Sequence, residues 1–390
     1  MGLMQAGMLE KFVTTIAYFD DPKWLKAIAR DINRRKFDES LKPYIQTHPF
    51  RETARQIFYK LGMADLTDLE SNPFGITAVY TELDHYVSKK ITSYPGISGF
   101  YGYEDGSYHT FGAAKKAGLR CIYELPIAYW QTMRSLLMEE AERLPAWKPT
   151  LKGGISDSAG KLERKTTELK LADLVIAPSK FVAGSLPAWA NDKKVIVSAF
   201  GTPANAKYVK RSSRVADKNR PLRILFVGSM SQRKGLADLF EAIRLLNTKH
   251  VQLIVLGSLQ SPLSFYKKIL PAFSYEAPRA HNEVLTLMES CDVLCLPSIV
   301  EGRALVLQEA MSRGLPLIIT PNTGGEDLII EKQTGFLVPI RSPQSIAEKI
   351  NWFLENRSCI GEMGNAAFNH AAKYTWEVYS KKITDAIQQG

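Results

Sequence analysis

Between Leu222 and Thr320 the chain repeats one pattern: a short unbroken apolar run, a small-residue break, then a stretch with helical spacing. LRILFV is followed by Gly228-Ser229, VQLIVL by Gly257, and LPLIIT is preceded by Gly314. A strand apolar at every position, not at alternate ones, is suited to burial on both faces, and helices between such strands imply a parallel sheet. Sheets of this kind bind ligands outside the carboxyl ends of their strands. The pattern predicts strands over Leu222–Val227, Val251–Leu256, Val293–Leu296, Leu315–Thr320 and Phe336–Pro339. Helices are predicted from Leu236, over Glu283–Glu289 and Leu305–Arg313, and at Pro343–Asn356 and Cys359–Tyr374.

The first half repeats the theme with less regularity. Phe12–Phe19, Gly99–Tyr103, Cys121–Glu124, Leu174–Ala177 and Val195–Ser198 read as strands, with helices at Phe111–Ala117 and Lys161–Leu171. Ala199 to Arg220 is polar, basic and aperiodic, which marks a domain boundary. A chain of 390 residues is too long for one ordinary core. The expected division is an N-terminal α/β domain over 1–200, a linker over 201–221 and a C-terminal α/β domain over 222–375. A doubly wound domain opens with an apolar strand and a glycine-bearing turn, whereas MGLMQAGMLEKF reads as the end of a helix. The first strand and glycine loop of the N-terminal domain are therefore expected to be missing, through a late start site or a degenerate N-terminus.

Composition narrows the class. The chain is 45% hydrophobic and 23% charged, as in ordinary globular proteins. No apolar run reaches the roughly 20 residues that span a bilayer, and Met1–Phe12 lacks the pattern of a signal peptide. Cys121, Cys291, Cys295 and Cys359 have no metal-binding spacing and read as reduced thiols in a cytoplasmic protein. The net charge of +10 is concentrated in part at Lys23–Lys60, with ten Lys/Arg against four Asp/Glu, and at Lys207–Arg223, with seven against one. Such surface suits solvent, an anionic membrane or a phosphorylated substrate. No zinc finger, helix-turn-helix or RNA-binding aromatic motif accompanies it, so nucleic acid is not an expected partner.

Two segments carry chemistry. In EGRALVLQEAMSRGLPLIITPNTGG (Glu301–Gly325), the predicted helix begins just after Glu301-Gly302, and its free amides form an anion site. Gly302 and Ala304 would let a phosphate approach the backbone. Glu309 lies one turn beyond Leu305 and suits two neighbouring hydroxyls, as on a ribose. One nucleotide diphospho-sugar satisfies the set, although on spacing alone Glu301 serves equally as a helix cap and Glu309 as a solvated residue. In VGSMSQRKG (Val227–Gly235), Arg233 and Lys234 follow a strand and could neutralise a diphosphate, or form a solvated pair on a loop.

Together these segments resemble the group 1 glycosyltransferases, a large retaining family with the two-domain GT-B fold. Glu301–Gly325 is similar to the family's E-x7-E signature and VGSMSQRKGLADLFEAI to its diphosphate loop. CDVLCLPSIVEG, GFLVPIRSPQSIAEKI and Tyr374–Glu377 also fit, over about residues 222–380, with LADLVIAPSKFVAGSL and AAKKAGLRCIYELP less specific. The resemblance implies two Rossmann-like domains facing across a cleft, with a final helix over 376–390 packing back on the first. It implies that Glu309 binds ribose, Glu301 faces the donor sugar, and the amides of Ala304, Leu305 and Val306 meet the diphosphate. Lys234, with Arg233 beside it, would stabilise the departing nucleotide, and Gly228 and Ser229 would line the same pocket. Family members often carry arginine at the position of Ser229, and an aromatic and a glycine where this chain has Arg303 and Ala304. Arg303 is either a solvated residue or an extra contact to the anionic donor, and the second reading is preferred. His109 and Glu124 are the acceptor-side candidates, each with a structural alternative: a helix-start histidine, and a glutamate where the family often has histidine.

The implied function is transfer of a hexosyl unit from a UDP- or GDP-sugar to a saccharide or lipid-linked hydroxyl acceptor. The setting is polysaccharide, lipopolysaccharide or glycolipid synthesis at the inner face of the membrane. No D-x-D triplet occurs, so no obligatory metal and no cofactor are expected. A catalytically silent nucleotide-sugar-binding homologue, and a related epimerase or phosphorylase, are the competing readings.

Overall fold

The computed structural model describes residues 1–19, 35–67, 70–151, 153–203 and 220–389. Residues 20–34 of the first basic stretch and 204–219 of the expected linker and second basic stretch lie outside the described residues.

Phe12–Thr14 (β1) pairs in parallel with Ile45–Thr47 (β2) in a separate two-stranded sheet. The predicted Phe12–Phe19 strand thus stops early and stays out of the main sheet. Its side chains are only half-buried, and Thr15 accepts a hydrogen bond from Arg35 Nη1 at 3.0 Å where the ladder ends.

Four parallel strands follow in chain order: Gly99–Tyr103 (β3), Arg120–Glu124 (β4), Leu174–Ala177 (β5) and Lys194–Val197 (β6). Because the side chains alternate, Cys121, Tyr123, Val175 and Ala177 pack on one face with Phe111, Ala114 and Leu169 from two crossover helices. Ile122, Leu174 and Ile176 are left on the other. The helix Trp376–Gln388 returns from the far end of the chain to cover them with Ile383 and Ala386. Arg120 Nη1 donates to the Ile387 carbonyl at 2.6 Å and fixes the helix end. Burying an isoleucine such as Ile383 stabilises by roughly 1.5–3 kcal/mol, so the return of the helix has a clear cause.

The second sheet has six parallel strands: Leu222–Val227 (β7), Val251–Leu256 (β8), Phe273–Glu276 (β9), Val293–Leu296 (β10), Leu317–Ile319 (β11) and Gly335–Leu337 (β12). Their order, β12-β11-β10-β7-β8-β9, winds outward from β7 and then resumes on its other side at β10. That is the dinucleotide-fold order, and the place where it reverses lies between β7 and β10. β9 was not anticipated, because FSYE is polar and only partly buried. The helices Phe50–Lys60, Ile76–Lys90 and Trp130–Arg143 were also not anticipated.

The two sheets face each other at their carboxyl edges. A Cβ on Gly302, after β10, would lie 1.8 Å from the carbonyl oxygen of Pro126, after β4. Ser179, after β5, donates through Oγ to the Gly302 carbonyl at 2.7 Å. Trp147 of the first half reaches into the second core and packs edge-on to Phe240, Phe265 and Tyr266.

Candidate donor site

The site forms where the strand order reverses. After β7, Gly228 takes φ +150°, and a Cβ on Gly257 would stand 1.6 Å from its carbonyl oxygen, so the ends of β7 and β8 nearly touch. The chain then makes a short 3₁₀ turn, Gln232–Lys234, closed by Gly235 in the left-handed region at φ +72°. A side chain at Gly235 would strike the Pro297 carbonyl, so only glycine lets the turn lie on the end of β10. The Arg233 carbonyl accepts from Ile299 N at 2.9 Å and from Val300 N at 3.3 Å. Backbone pairing thereby carries Arg233 and Lys234 to Glu301.

There the charges meet. Arg233 Nη1 donates to the Val300 carbonyl at 3.1 Å and to Glu301 Oε2 at 3.2 Å. The Lys234 ammonium contacts the same Glu301 oxygen, with its stem lying along Gly228. Burial, and after it the neighbouring guanidinium, push Lys234 down to about 7; the Glu301 carboxylate against it acts in the opposite direction. Burial also lowers Arg233. Two cations held in so dry a place require an anion, and here Glu301 provides it. Among the described residues no group of three His, Cys, Asp or Glu is placed to hold a metal ion.

The helix Leu305–Met311 opens at Ala304 without a side-chain cap, so the first-turn amides of Leu305 and Val306 have no capping side chain. The Ala304 amide, expected at the diphosphate, donates instead to the Thr323 carbonyl at 3.2 Å. Glu309 is half-buried and pairs with His281 Nε2 at 3.1 Å, apart from the Arg233–Lys234–Glu301 cluster. His281 begins its own helix and carries no sequence signal that links it to Glu309.

Arg303 was expected to reach the donor, and its side chain is directed elsewhere. It is buried, with Nη1 and Nη2 on the two Asp327 carboxylate oxygens at 2.7 and 3.2 Å. Nη1 also donates to the Gly324 carbonyl at 3.0 Å and Nε to Gln308 Oε1 at 3.0 Å, and the guanidinium lies 5.1 Å from the Tyr374 ring. Arg303 thus ties the Gly324–Asp327 turn beneath the helix. A buried guanidinium needs a carboxylate, and the nearest is in that turn.

The acceptor-side candidates do not converge on the cluster. Glu124 is buried between β4 and the last helix and accepts hydrogen bonds from the hydroxyls of Tyr101, Tyr379 and Tyr103. Burial raises its pKa, against three hydroxyls that favour the charged form. His109 stacks on His85 at 3.6 Å between centroids, while its amide donates to Asp84 at 2.7 Å. It lines a cavity of about 340 Å³ with Ser88, Tyr108, Lys116, Thr167 and other residues of the first half only.

Sequence reasoning missed a charged network beside the site. Glu140, fully buried, accepts from Gln232 Nε2 and Arg143 Nη2 at 2.7 Å each and from Arg341 Nε at 2.5 Å. Arg143 also forks onto Asp238 at 2.9 Å. Gln232 directly precedes Arg233, so this network joins the two halves at the foot of the cation pair.

Two parallel α/β units meeting at their carboxyl edges define the GT-B architecture, and solved structures agree. The sucrose-phosphate synthase of Thermosynechococcus elongatus matches with TM-score 0.61 and 17% identity, over all of this chain and 90% of that one. A crystal structure of Anabaena HepE in complex with UDP matches with TM-score 0.61 and 15% identity, over 97% of this chain and 100% of that one. Residues 210–373 match the family model for group 1 glycosyl transferases. A D-inositol 3-phosphate glycosyltransferase of Corynebacterium urealyticum is 26% identical over 220 residues, covering 53% of this chain and 47% of its own length. A putative colanic acid biosynthesis glycosyltransferase, WcaL of Salmonella typhimurium, is 28% identical over 195 residues, 46% of this chain and 47% of its own. The chain spans about half the length of these curated relatives.

Proposed function

We propose that this protein is a retaining glycosyltransferase that moves a hexosyl unit from a nucleotide diphospho-sugar to a hydroxyl acceptor. The observation that carries this is the meeting of Arg233, Lys234 and Glu301 at the reversal point between β7 and β10. The diphosphate takes the cations and the uncapped amides of Leu305 and Val306. Glu309 accepts the ribose hydroxyls, and Glu301, released from the cations, faces the sugar. The acceptor oxygen bonds to the anomeric carbon on the face from which the phosphate leaves, the anomeric carbon–oxygen bond to phosphate breaks, and the hydroxyl proton passes to the departing diphosphate. Lys234 and Arg233 stabilise the charge that develops on that leaving group.

The UDP in the Anabaena structure supports a nucleotide donor, and the name of the Salmonella relative supports a saccharide acceptor in polysaccharide synthesis, with a lipid-linked acceptor as the other form of the proposal. A cytoplasmic place at the membrane's inner face accords with this role; no described helix is long and apolar enough to cross a membrane. A thermal-shift panel of nucleotide sugars tests the reading, since a ligand that prefers the native state raises Tm. One UDP- or GDP-sugar should stand out and yield a glycosylated product with the donor's anomeric configuration. A flat panel would remove the donor assignment.

A further inference from the structure

The helix Phe50–Lys60 is built the wrong way round for a surface helix. A polar cluster occupies its inner side: Glu52 is buried and accepts from Arg55 Nε at 2.7 Å and Gln56 Nε2 at 3.0 Å, with Arg35 also paired to it, while Thr53, Tyr59 and Lys60 are exposed. On the flank between the two sides, Phe58 packs against Phe74 at 4.7 Å between ring centroids, and Arg51 pairs with Glu82. At 100° per residue, Phe50, Ala54, Ile57 and Leu61 fall on one line down the opposite side. That side faces solvent: Phe50 is 74% exposed, Ile57 45% and Leu61 67%. An ordinary amphipathic helix shows water its charges and hides this stripe. Met63, just beyond, is exposed as well.

The chemistry around the stripe indicates what meets it. The stripe runs about 16 Å along the helix. Residues 35–63 carry six Lys/Arg against three Asp/Glu, an excess that remains although Arg35 and Arg55 pair with Glu52, Arg51 with Glu82, and Lys42 lies 3.9 Å from Glu39. Lys60, at the end of the helix, is exposed. An apolar stripe with bulky side chains and flanking cations fits the boundary between headgroups and acyl chains of an anionic bilayer.

We infer that the helix Phe50–Lys60 lays Phe50, Ile57 and Leu61 into an anionic membrane surface and holds the first half of the protein against it. The inference stands on this surface and not on the donor site. Vesicle binding and nucleotide-sugar binding are measured separately, so either reading can fail alone. The test is co-sedimentation of the whole chain with phosphatidylcholine vesicles, with and without roughly a third of phosphatidylglycerol. The chain should bind the anionic vesicles at least about tenfold better, and lose that advantage near 0.5 M salt. The variant Phe50→Ser/Ile57→Ser/Leu61→Ser should bind roughly 10–100-fold more weakly, with its Tm only modestly lowered because Phe50 and Leu61 are mostly exposed and Ile57 is about half covered. Leu245→Ser, which removes an exposed leucine from the second half, should bind like the parent chain. Absence of binding to anionic vesicles, or a triple variant that binds as well as the parent, would overturn the inference. So would a parent chain that sediments as a dimer and a triple variant that sediments as a monomer, because the stripe would then be a contact between copies.

Discussion

Replacing Glu301 with glutamine should make the protein bind free nucleoside diphosphates more tightly. In the free structure the cations that would receive a diphosphate are occupied by Glu301, whose side chain is 15% exposed, against 12% for Lys234 and 25% for Arg233. Before a diphosphate can take the cations, this internal pair has to open. Fully exposed pairs contribute about 0.2–1 kcal/mol, whereas breaking fully buried ones costs about 3–5 kcal/mol. A pair with this intermediate exposure falls at roughly 1–2 kcal/mol, which is about 5–30-fold in affinity. Glutamine keeps the length and a carbonyl for Arg233 but gives up the charge. Isothermal titration with UDP, GDP and ADP should show the gain for whichever nucleotide the parent binds. Lys234→Ala in the same background should erase it, as a double-mutant cycle requires. Sugar transfer should fall in the same variant, because glutamine is a poorer partner for the donor sugar. Unchanged or weaker nucleotide binding by a folded Glu301→Gln protein would show that the pair does not compete with the ligand.

The same site has a proton linkage. Burial and Arg233 hold Lys234 near 7, so with Glu301 uncharged the lysine is increasingly deprotonated above that pH until another anion arrives. Donor binding by Glu301→Gln should therefore take up a proton and weaken as pH rises above about 7, at up to tenfold per pH unit. A nucleotide sugar is the right ligand for this measurement, because its diphosphate is a diester and lacks the ionisation near 6 of a phosphomonoester.

Two further substitutions separate ligand contacts from structural ones. Glu309→Ala should weaken donor binding by about 1–3 kcal/mol in titration with its Tm nearly unchanged, and equal affinity would remove the ribose assignment. Arg303→Ala should destabilise the fold by about 2–4 kcal/mol in urea titration, since Gln308 and the Gly324 carbonyl lose their donor while the partly exposed Asp327 regains water. Burial works against the charged form of Asp327, but its hydrogen bonds and attraction to Arg303 prevail and hold its pKa below the usual value. The stability this provides is present above the unfolded carboxylate's pKa and lost as pH falls through the folded one. Arg303→Ala should accordingly flatten the loss of stability in acid; a stable variant with unchanged acid sensitivity would refute the clamp.

How much of this was legible follows from burial. VLCL is apolar throughout, and LRILFV and VQLIVL are so apart from Arg223 and Gln252, because both faces of β7, β8 and β10 are largely covered, so the pattern alone locates them. FSYE in β9 is half-exposed and has no such pattern. The helix Phe50–Lys60 escaped notice for a related reason: its buried side holds Glu52 and its exposed side Phe50, the reverse of the ordinary signal. Arg233, Lys234 and Glu301 could be singled out because each follows a recognisable strand end. The partner of Arg303 could not, because Asp327 lies 24 residues on and only the fold of the Gly324 turn brings it near. Glu124 was taken for a cleft residue from its place at a strand end. The alternation of side chains turns it to the face that the last helix covers, where Tyr379 meets it.

The network at Glu140 gives the first half a direct influence on the donor site. Glu140 sits on the helix Trp130–Arg143, yet its carboxylate holds Gln232, whose backbone is continuous with Arg233 and Lys234. Gln232 is otherwise fixed through its side-chain Oε1, which accepts from Ala237 N at 2.9 Å, through Nε2, which donates to Asp238 at 2.7 Å, and through its backbone N, which donates to Thr150 Oγ1 at 3.1 Å. Glu140→Ala removes the acceptor shared by Gln232, Arg143 and Arg341 and leaves Arg143 to Asp238 alone. Breaking a buried ionic network of this kind costs about 3–5 kcal/mol, and the loss should appear in urea unfolding. If the network also positions the turn, nucleotide binding by the folded variant should weaken by several-fold although Glu140 touches no ligand. Glu140→Gln, which keeps an acceptor for Gln232, should recover much of that affinity while remaining less stable than the parent. A Glu140→Ala protein that is destabilised but binds nucleotide normally would confine the network to holding the halves together, and the cation pair would then owe its position to the Gly235 turn and the Ile299 and Val300 amides alone.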